Sequence, residues 1–278
     1  MADWKKWALG DFTLKRLLKS IISIYVILLI LAVSLGDFLI FPSPRPQYDD
    51  TLPHLKLLPP TEDSEAIAYY HLPAKPNMPT LLWSHGNAED IGSIRPLLDI
   101  LHNQGLGILT YDYPGYGLSP GNTSDRSCYQ AIERAYQKLT DDLKVPPSSI
   151  IIVGQSVGSG PSCYIAEKQQ TAGLILISPI SSIYRVAFGF RPFPRDRFPN
   201  IDRIKHIHSP LMVIHGEADT IVTPDHGMAL AAAHPGETQL EILHARGHND
   251  IVGRDLDETN TYIALIRDFA LLHATSSH

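Results

Sequence analysis

The chain has 278 residues, 44% of them hydrophobic and 19% charged, with a formal net charge of −6. That size and apolar content suit one large core plus a separate segment. An acidic balance without a basic stripe argues against nucleic acid as a partner, and Cys128 and Cys163 alone cannot build a disulfide framework.

The N-terminal end differs from the rest. Lys5, Lys6, Lys15, Arg16 and Lys19 stand against Asp3 and Asp11, so residues 1–20 carry +3 and the other 258 carry −9. After this basic segment (1–19) comes an uncharged apolar run of 17 residues, 20–36, then Asp37 and Phe38-Leu-Ile-Phe41. A membrane-spanning helix needs about 17–25 apolar residues, so 20–41 is expected to be a transmembrane anchor. Trp4, Trp7 and Phe12 suit its interface. The basic flank precedes the span, so the positive-inside rule places the N-terminus in the cytoplasm and the rest of the chain on the opposite side. Two alternatives stay open: a cleaved signal with Ala32-Val-Ser34 at the cleavage site, which would leave a secreted protein, or a buried core helix.

Residues 42–62 contain Pro42, Pro44, Pro46, Pro53, Pro59 and Pro60 and read as an extended linker or a first-strand lead-in. From residue 63 to 278 apolar strands alternate with helical stretches. Strands are predicted over 65–71, 80–85, 107–113, 150–155, 174–178, 211–216 and 239–243. Helices are predicted near 92–104, 124–143, 157–169, 224–234 and 256–273. This is the βαβ pattern of an α/β domain with a mostly parallel central sheet and helices on both faces. Residues 179–210 read as a short lid. It sets Phe188, Phe190, Phe193 and Phe198 among Arg185, Arg191, Arg195 and Arg197. Two readings stand side by side: an aromatic acyl-chain site with a basic rim, or phenylalanines that pack an irregular strap beneath a solvated arginine face.

Ile151-Ile-Val-Gly154-Gln155-Ser156-Val157-Gly158 carries the strongest chemical signal. A β-branched run ends in Gly-x-Ser-x-Gly, the signature of a turn that presents a serine hydroxyl above a strand end. Only small residues fit two places either side of that serine, and Gly154 and Gly158 occupy them. Such a serine needs a base and an orienting acid, in the order serine, acid, histidine. Leu211-Met-Val-Ile-His-Gly-Glu-Ala-Asp219 and Ile242-Leu-His-Ala-Arg-Gly-His248 supply them, at spacings of 63 and 29 residues. His248 is expected to take the Ser156 proton and Asp219 to fix its tautomer. His244, Glu217 and Asp225 are the rivals: His244 sits at the strand end, Glu217 precedes the loop tip, and Asp225 follows Pro224 at a helix start.

A strand entering His85-Gly86-Asn87 supplies the third part. The backbone amides of Asn87 and Val157 are the expected oxyanion-hole donors, with Ala88 as a substitute for Asn87. His206-x-His208 lacks further ligands nearby, so no metal is expected. Gly115-x-Gly117 is not followed by the rest of a dinucleotide fingerprint and reads as a turn. Acyl transfer to water by such a site needs no cofactor.

These residues carry a resemblance. Ser84-His-Gly-Asn-Ala-Glu-Asp90, Tyr111-Asp-Tyr-Pro-Gly-Tyr-Gly-Leu-Ser119, Gly154-Gln-Ser-Val-Gly158 with Pro161, Phe198-Pro-Asn-Ile-Asp202, His215-Gly-Glu-Ala-Asp219-Thr-Ile-Val222 and Gly247-His-Asn-Asp250 run in order along residues 80–250. The chain resembles the α/β-hydrolase superfamily, and within it the membrane-anchored serine hydrolases related to α/β-hydrolase domain-containing proteins 13 and 17, a group that includes protein depalmitoylases. The resemblance implies the α/β-hydrolase fold and a serine esterase or thioesterase with a lipid or acylated-protein substrate. The type 17 proteins carry an N-terminal cysteine cluster for lipid attachment; the two cysteines here lie far from that end. Two further readings remain beside this one: a peptidase of the proline-iminopeptidase kind, and a non-catalytic hydrolase-fold protein tethered at a membrane.

Overall fold

The computed structural model describes residues 13–274. The chain divides at Ile40/Phe41 into two units. The first holds α1, Leu14–Ile40, a helix of 27 residues with no buried side chain. At about 1.5 Å per residue it is long enough to cross a bilayer core of about 30 Å. It starts six residues ahead of the predicted span, because Leu, Lys and Arg continue a helix well and the Thr13 hydroxyl and carbonyl accept from the Arg16 amide.

The second unit is built on eight strands: β1 (Leu55–Leu58), β2 (Ile67–Leu72), β3 (Thr80–Ser84), β4 (Gly107–Tyr111), β5 (Ile150–Gln155), β6 (Gly173–Ile177), β7 (Leu211–Gly216) and β8 (Thr238–Leu243). They form one sheet in the order β1-β2-β4-β3-β5-β6-β7-β8. β1 and β2, and β2 and β4, pair antiparallel, and every later pair is parallel. All residues of β3, β4, β6 and β7 are buried, as expected of central parallel strands covered on both sides. β8 lies at the sheet edge, where Gln239 and Leu240 are exposed and Thr238 and Glu241 half-buried.

The longer helices are α2 (Ile91–Asn103), α3 (Asp125–Gln137), α4 (Ser159–Lys168), α7 (Pro224–Ala233) and α8 (Leu256–His273). Two short helices, α5 (Ile183–Phe188) and α6 (Asn200–Arg203), lie between β6 and β7. Ile91, Ile94, Leu98 and Leu101 of α2 and Tyr262, Ile263, Ile266 and Phe269 of α8 bury one face of the sheet with Leu81, Trp83, Ile151 and Val153. α3, α4 and α7 cover the other face.

The structure differs locally from the sequence reading in three places. The predicted helix over 124–143 is α3 followed by a π-helical turn, Lys138–Asp142. The predicted helix at 157 begins with a 3-10 turn, Ser156–Gly158, before α4. The proline-rich 42–62 stretch packs on this unit rather than standing off from it. It contains β1, and Tyr48 and Leu52 lie against the core; Phe41, just before it, is buried against Phe198 with ring centroids 6.0 Å apart. Prolines space these apolar side chains without preventing their burial.

Candidate active site

β5 ends at Gln155, and Ser156 takes a left-handed conformation with φ +52°. A non-glycine residue there is strained, and such strain is kept where the surroundings enforce it. The surroundings are tight. A Cβ on Gly154 would stand 2.7 Å from both the Gly158 carbonyl and Ser162 Oγ, and one on Gly158 would strike the Ser84 carbonyl. A Cβ on Gly160 would strike the Phe198 ring. The turn is also tied down by Ser159, whose hydroxyl donates to the Ser156 carbonyl at 2.6 Å and accepts from the Ile180 amide and Asn200 Nδ2.

Pairing of β7 with β8 brings the two later loops together. The Glu217 amide donates to the Leu243 carbonyl at 3.0 Å and the Ala218 amide to the Arg246 carbonyl at 2.7 Å. This sets Asp219 beside His248. Asp219 is buried, and its Oδ1 accepts from the Ile221 and Val222 amides, each at 2.9 Å. Its Oδ2 lies 2.7 Å from His248 Nδ1. A carboxylate only accepts, so Nδ1 carries the proton and Nε2 presents its lone pair. Ser156 Oγ lies 3.0 Å from that Nε2. Ser156, His248 and Asp219 therefore form one continuous hydrogen-bonded chain, assembled from three loops at the C-terminal ends of β5, β7 and β8. The rivals lie elsewhere: His244 Nδ1 pairs with Glu217 at 2.6 Å on the surface, and Asp225 sits in the first turn of α7.

The loop after β3 borders the serine. A Cβ on Gly86 would stand 3.7 Å from Ser156 Cβ. Of the expected oxyanion donors, Asn87 follows Gly86 in this loop and Val157 follows Ser156 in the elbow. Asn87 Oδ1 accepts from the Tyr116 hydroxyl at 2.7 Å, and Ala88 is held at φ +59°. Glu89 joins the two loops: it accepts from the Gly86 amide at 2.6 Å and from Gln155 Nε2 at 3.0 Å.

His85 is fully buried. Its Nδ1 donates to the Gly86 carbonyl at 2.8 Å, and its Nε2 lies 3.4 Å from Asp112 Oδ1, beyond good hydrogen-bond geometry. Burial alone lowers the pKa of such a ring; the Asp112 carboxylate and Gly86 carbonyl outweigh it and raise the pKa above the ordinary histidine value.

The serine aminopeptidase S33 family model matches residues 75–195. Human α/β-hydrolase domain-containing protein 17B is 35% identical over 210 residues, which cover 73% of this chain and 73% of that protein. The chain belongs to the α/β-hydrolase domain-containing 17 family. Mouse family member 17C is 39% identical over 175 residues, or 62% of this chain, and the match spans 55% of 17C itself. A soluble variant of the Saccharomyces cerevisiae monoglyceride lipase superposes with a TM-score of 0.65 at 18% identity, covering 84% of this chain and 100% of that one. The family's α/β-hydrolase fold is therefore present here.

Several residues around this family member's site had no role assigned from the sequence. Asn200 donates to the Ile180 carbonyl as well as to Ser159, so it ties the lid base to the elbow. Asp112 and Tyr48 reach the site only through contacts remote in sequence, whereas Glu89 and His215 also bond within a few residues, to the Gly86 amide and the Val222 carbonyl. The lid divides the two readings made of it. Phe198 is buried beneath the elbow helix, whereas Phe188 and Phe190 are 54% and 62% exposed. Arg191 is not a free surface cation; it pairs with Asp196 at 3.1 Å and Asp202 at 2.7 Å.

Proposed function

We propose that this hydrolase is a serine esterase or thioesterase that works through an acyl-enzyme. The observation that carries the reading is the Ser156–His248–Asp219 chain of hydrogen bonds, at 3.0 and 2.7 Å. Ser156 Oγ attacks the carbonyl carbon of the substrate as its proton passes to His248 Nε2. Asp219 stabilises the resulting imidazolium. The Asn87 and Val157 amides hold the oxyanion. The tetrahedral intermediate collapses, the alcohol or thiol leaves with the proton from His248, and Ser156 is left acylated. Water, deprotonated by His248, then releases the acid and restores the serine.

The substrate class is an acyl ester of a lipid or an acylated protein. Support comes from α1, which would hold the enzyme at a bilayer, and from the likeness of the fold to a monoglyceride lipase. α1 would be a single-pass anchor with the hydrolase unit on the side opposite the cytoplasm, following the basic flank; signal cleavage and secretion is the other outcome. The S33 match supports a second reading, an aminopeptidase.

Treatment of the full chain with a labelled fluorophosphonate tests the nucleophile. Labelling that maps to Ser156 and disappears in Ser156→Ala supports the reading; an unlabelled wild-type chain sinks it. Turnover of p-nitrophenyl esters against aminoacyl p-nitroanilides then separates esterase from peptidase.

A further inference from the structure

Tyr48 and its neighbours lie in the stretch that reads as a linker, yet they grip the loop beside the nucleophile at both ends. The Tyr48 hydroxyl donates to Asp112 Oδ2 and accepts from the Leu118 amide at 3.1 Å. Asp112 is buried, and its Oδ1 accepts from the Ile91 amide at 2.9 Å and faces His85 Nε2. His85 opens the loop. Gln47, one residue before Tyr48, donates its amide at 2.6 Å to Asp90 Oδ2. Asp90 closes the loop and caps α2 through the Ser93 amide. Gln47 thus bonds Asp90 directly, and Tyr48 reaches His85 through Asp112.

The fit leaves no slack. A Cβ on Gly117, which has φ +49°, would stand 2.6 Å from the Tyr48 hydroxyl and strike Asp112 Oδ2. A Cβ on Gly92 would stand 2.8 Å from the Gln47 carbonyl. Burial, then the Asp112 carboxylate, raise the Tyr48 pKa far above that of an ordinary phenol, so the hydroxyl remains a donor.

We propose that Tyr48 is a positioning residue: through Asp112 and His85 its hydroxyl holds the loop after β3 in place beside Ser156. Residues 47 and 48, in the stretch that reads as a linker, are then a working part of the active site. This rests on Ser156 being the nucleophile. Without the hydroxyl, Asp112 Oδ2 loses its side-chain donor in a buried setting and the pull on His85 changes. The Asn87 amide on the same loop moves with it. Small misplacements of reacting groups are costly in rate.

The test compares the full chain in detergent with Tyr48→Phe, Leu52→Ala and Ser156→Ala on p-nitrophenyl butyrate. Leu52 packs against the core from the same segment and its side chain has no polar group to offer Asp112 or Asp90, so it reports loosening of the segment alone. Tyr48→Phe should lower kcat by about ten-fold with KM within about two-fold, less than the loss of a whole oxyanion donor. Leu52→Ala should lower the melting temperature while keeping kcat. Wild-type kcat in Tyr48→Phe overturns the proposal, as does an equal kcat loss in Leu52→Ala. Either result leaves Ser156-dependent turnover by the wild type intact. A wild type without Ser156-dependent turnover would instead overturn the esterase reading and this proposal with it.

Discussion

His215 Nε2 lies 3.3 Å from Asp219 Oδ2, the same oxygen that His248 Nδ1 approaches to 2.7 Å. Nε2 is also 2.8 Å from the Val222 carbonyl, which can only accept, so Nε2 carries the proton. Burial lowers the His215 pKa and keeps the ring neutral. A neutral ring that donates to the Val222 carbonyl thus packs against the acid, without adding a positive charge that would compete with His248.

His215→Phe removes this donor and leaves the buried Val222 carbonyl unpaired. We expect a stability loss of about 1–3 kcal/mol and a fall in kcat/KM of about ten-fold, because the Ile221 and Val222 amides still hold Asp219 Oδ1. Thermal melts and steady-state rates on one preparation check both; wild-type values in each would show that His215 is passive.

Two glycine substitutions should both cost stability but differ in activity. Gly160→Ala drives a methyl into the buried Phe198 ring under the elbow. Overpacking should cost about 1–3 kcal/mol and most of the activity, since Phe198 and Asn200 adjoin the turn that presents Ser156. Gly189, at φ +75° after α5, faces open space. Gly189→Ala should cost about 1–2 kcal/mol of backbone strain with activity unchanged. Urea denaturation with parallel ester hydrolysis distinguishes the two.

Acid should destabilise the fold. Burial lowers the pKa of His71 (to about 4), His215, His226 and His234 from 6.5. Protons therefore bind the unfolded chain first as the pH drops below 6.5, and stability falls until the folded-state values are passed. His85 acts oppositely. Its raised pKa contributes stability that is full below 6.5 and is lost as the pH rises through the folded value. With four groups against one, the melting temperature should decline from pH 6.5 to 4. A flat profile across that window would contradict the burial of these rings.

The elbow was legible because its geometry admits so few residues: a glycine either side of Ser156, after an apolar strand, is a steric requirement that sequence displays directly. The central strands were legible for a related reason, since parallel strands buried on both faces leave long apolar runs. Tyr48 was not legible. Its partner Asp112 is 64 residues away, and the prolines around it read as extended chain whether or not that chain is packed. β1 hid in the same stretch, four residues long at a sheet edge. The lid mixed Phe198 with Phe188 and Phe190 in one composition, and of these three Phe198 is buried, with Gly160, Phe41 and Tyr129 around it. His215 looked like part of a strand because it is one; its second role needs the fold of the 219–222 loop.

The most direct measurement is the rate of p-nitrophenyl butyrate hydrolysis by the full chain and by Ser156→Ala. The account predicts turnover by the wild type and a loss of about ten-thousand-fold or more in the variant, as removal of a triad nucleophile entails. Equal rates in the two, or no turnover by either on esters of any chain length, would contradict the assignment of Ser156 as the nucleophile.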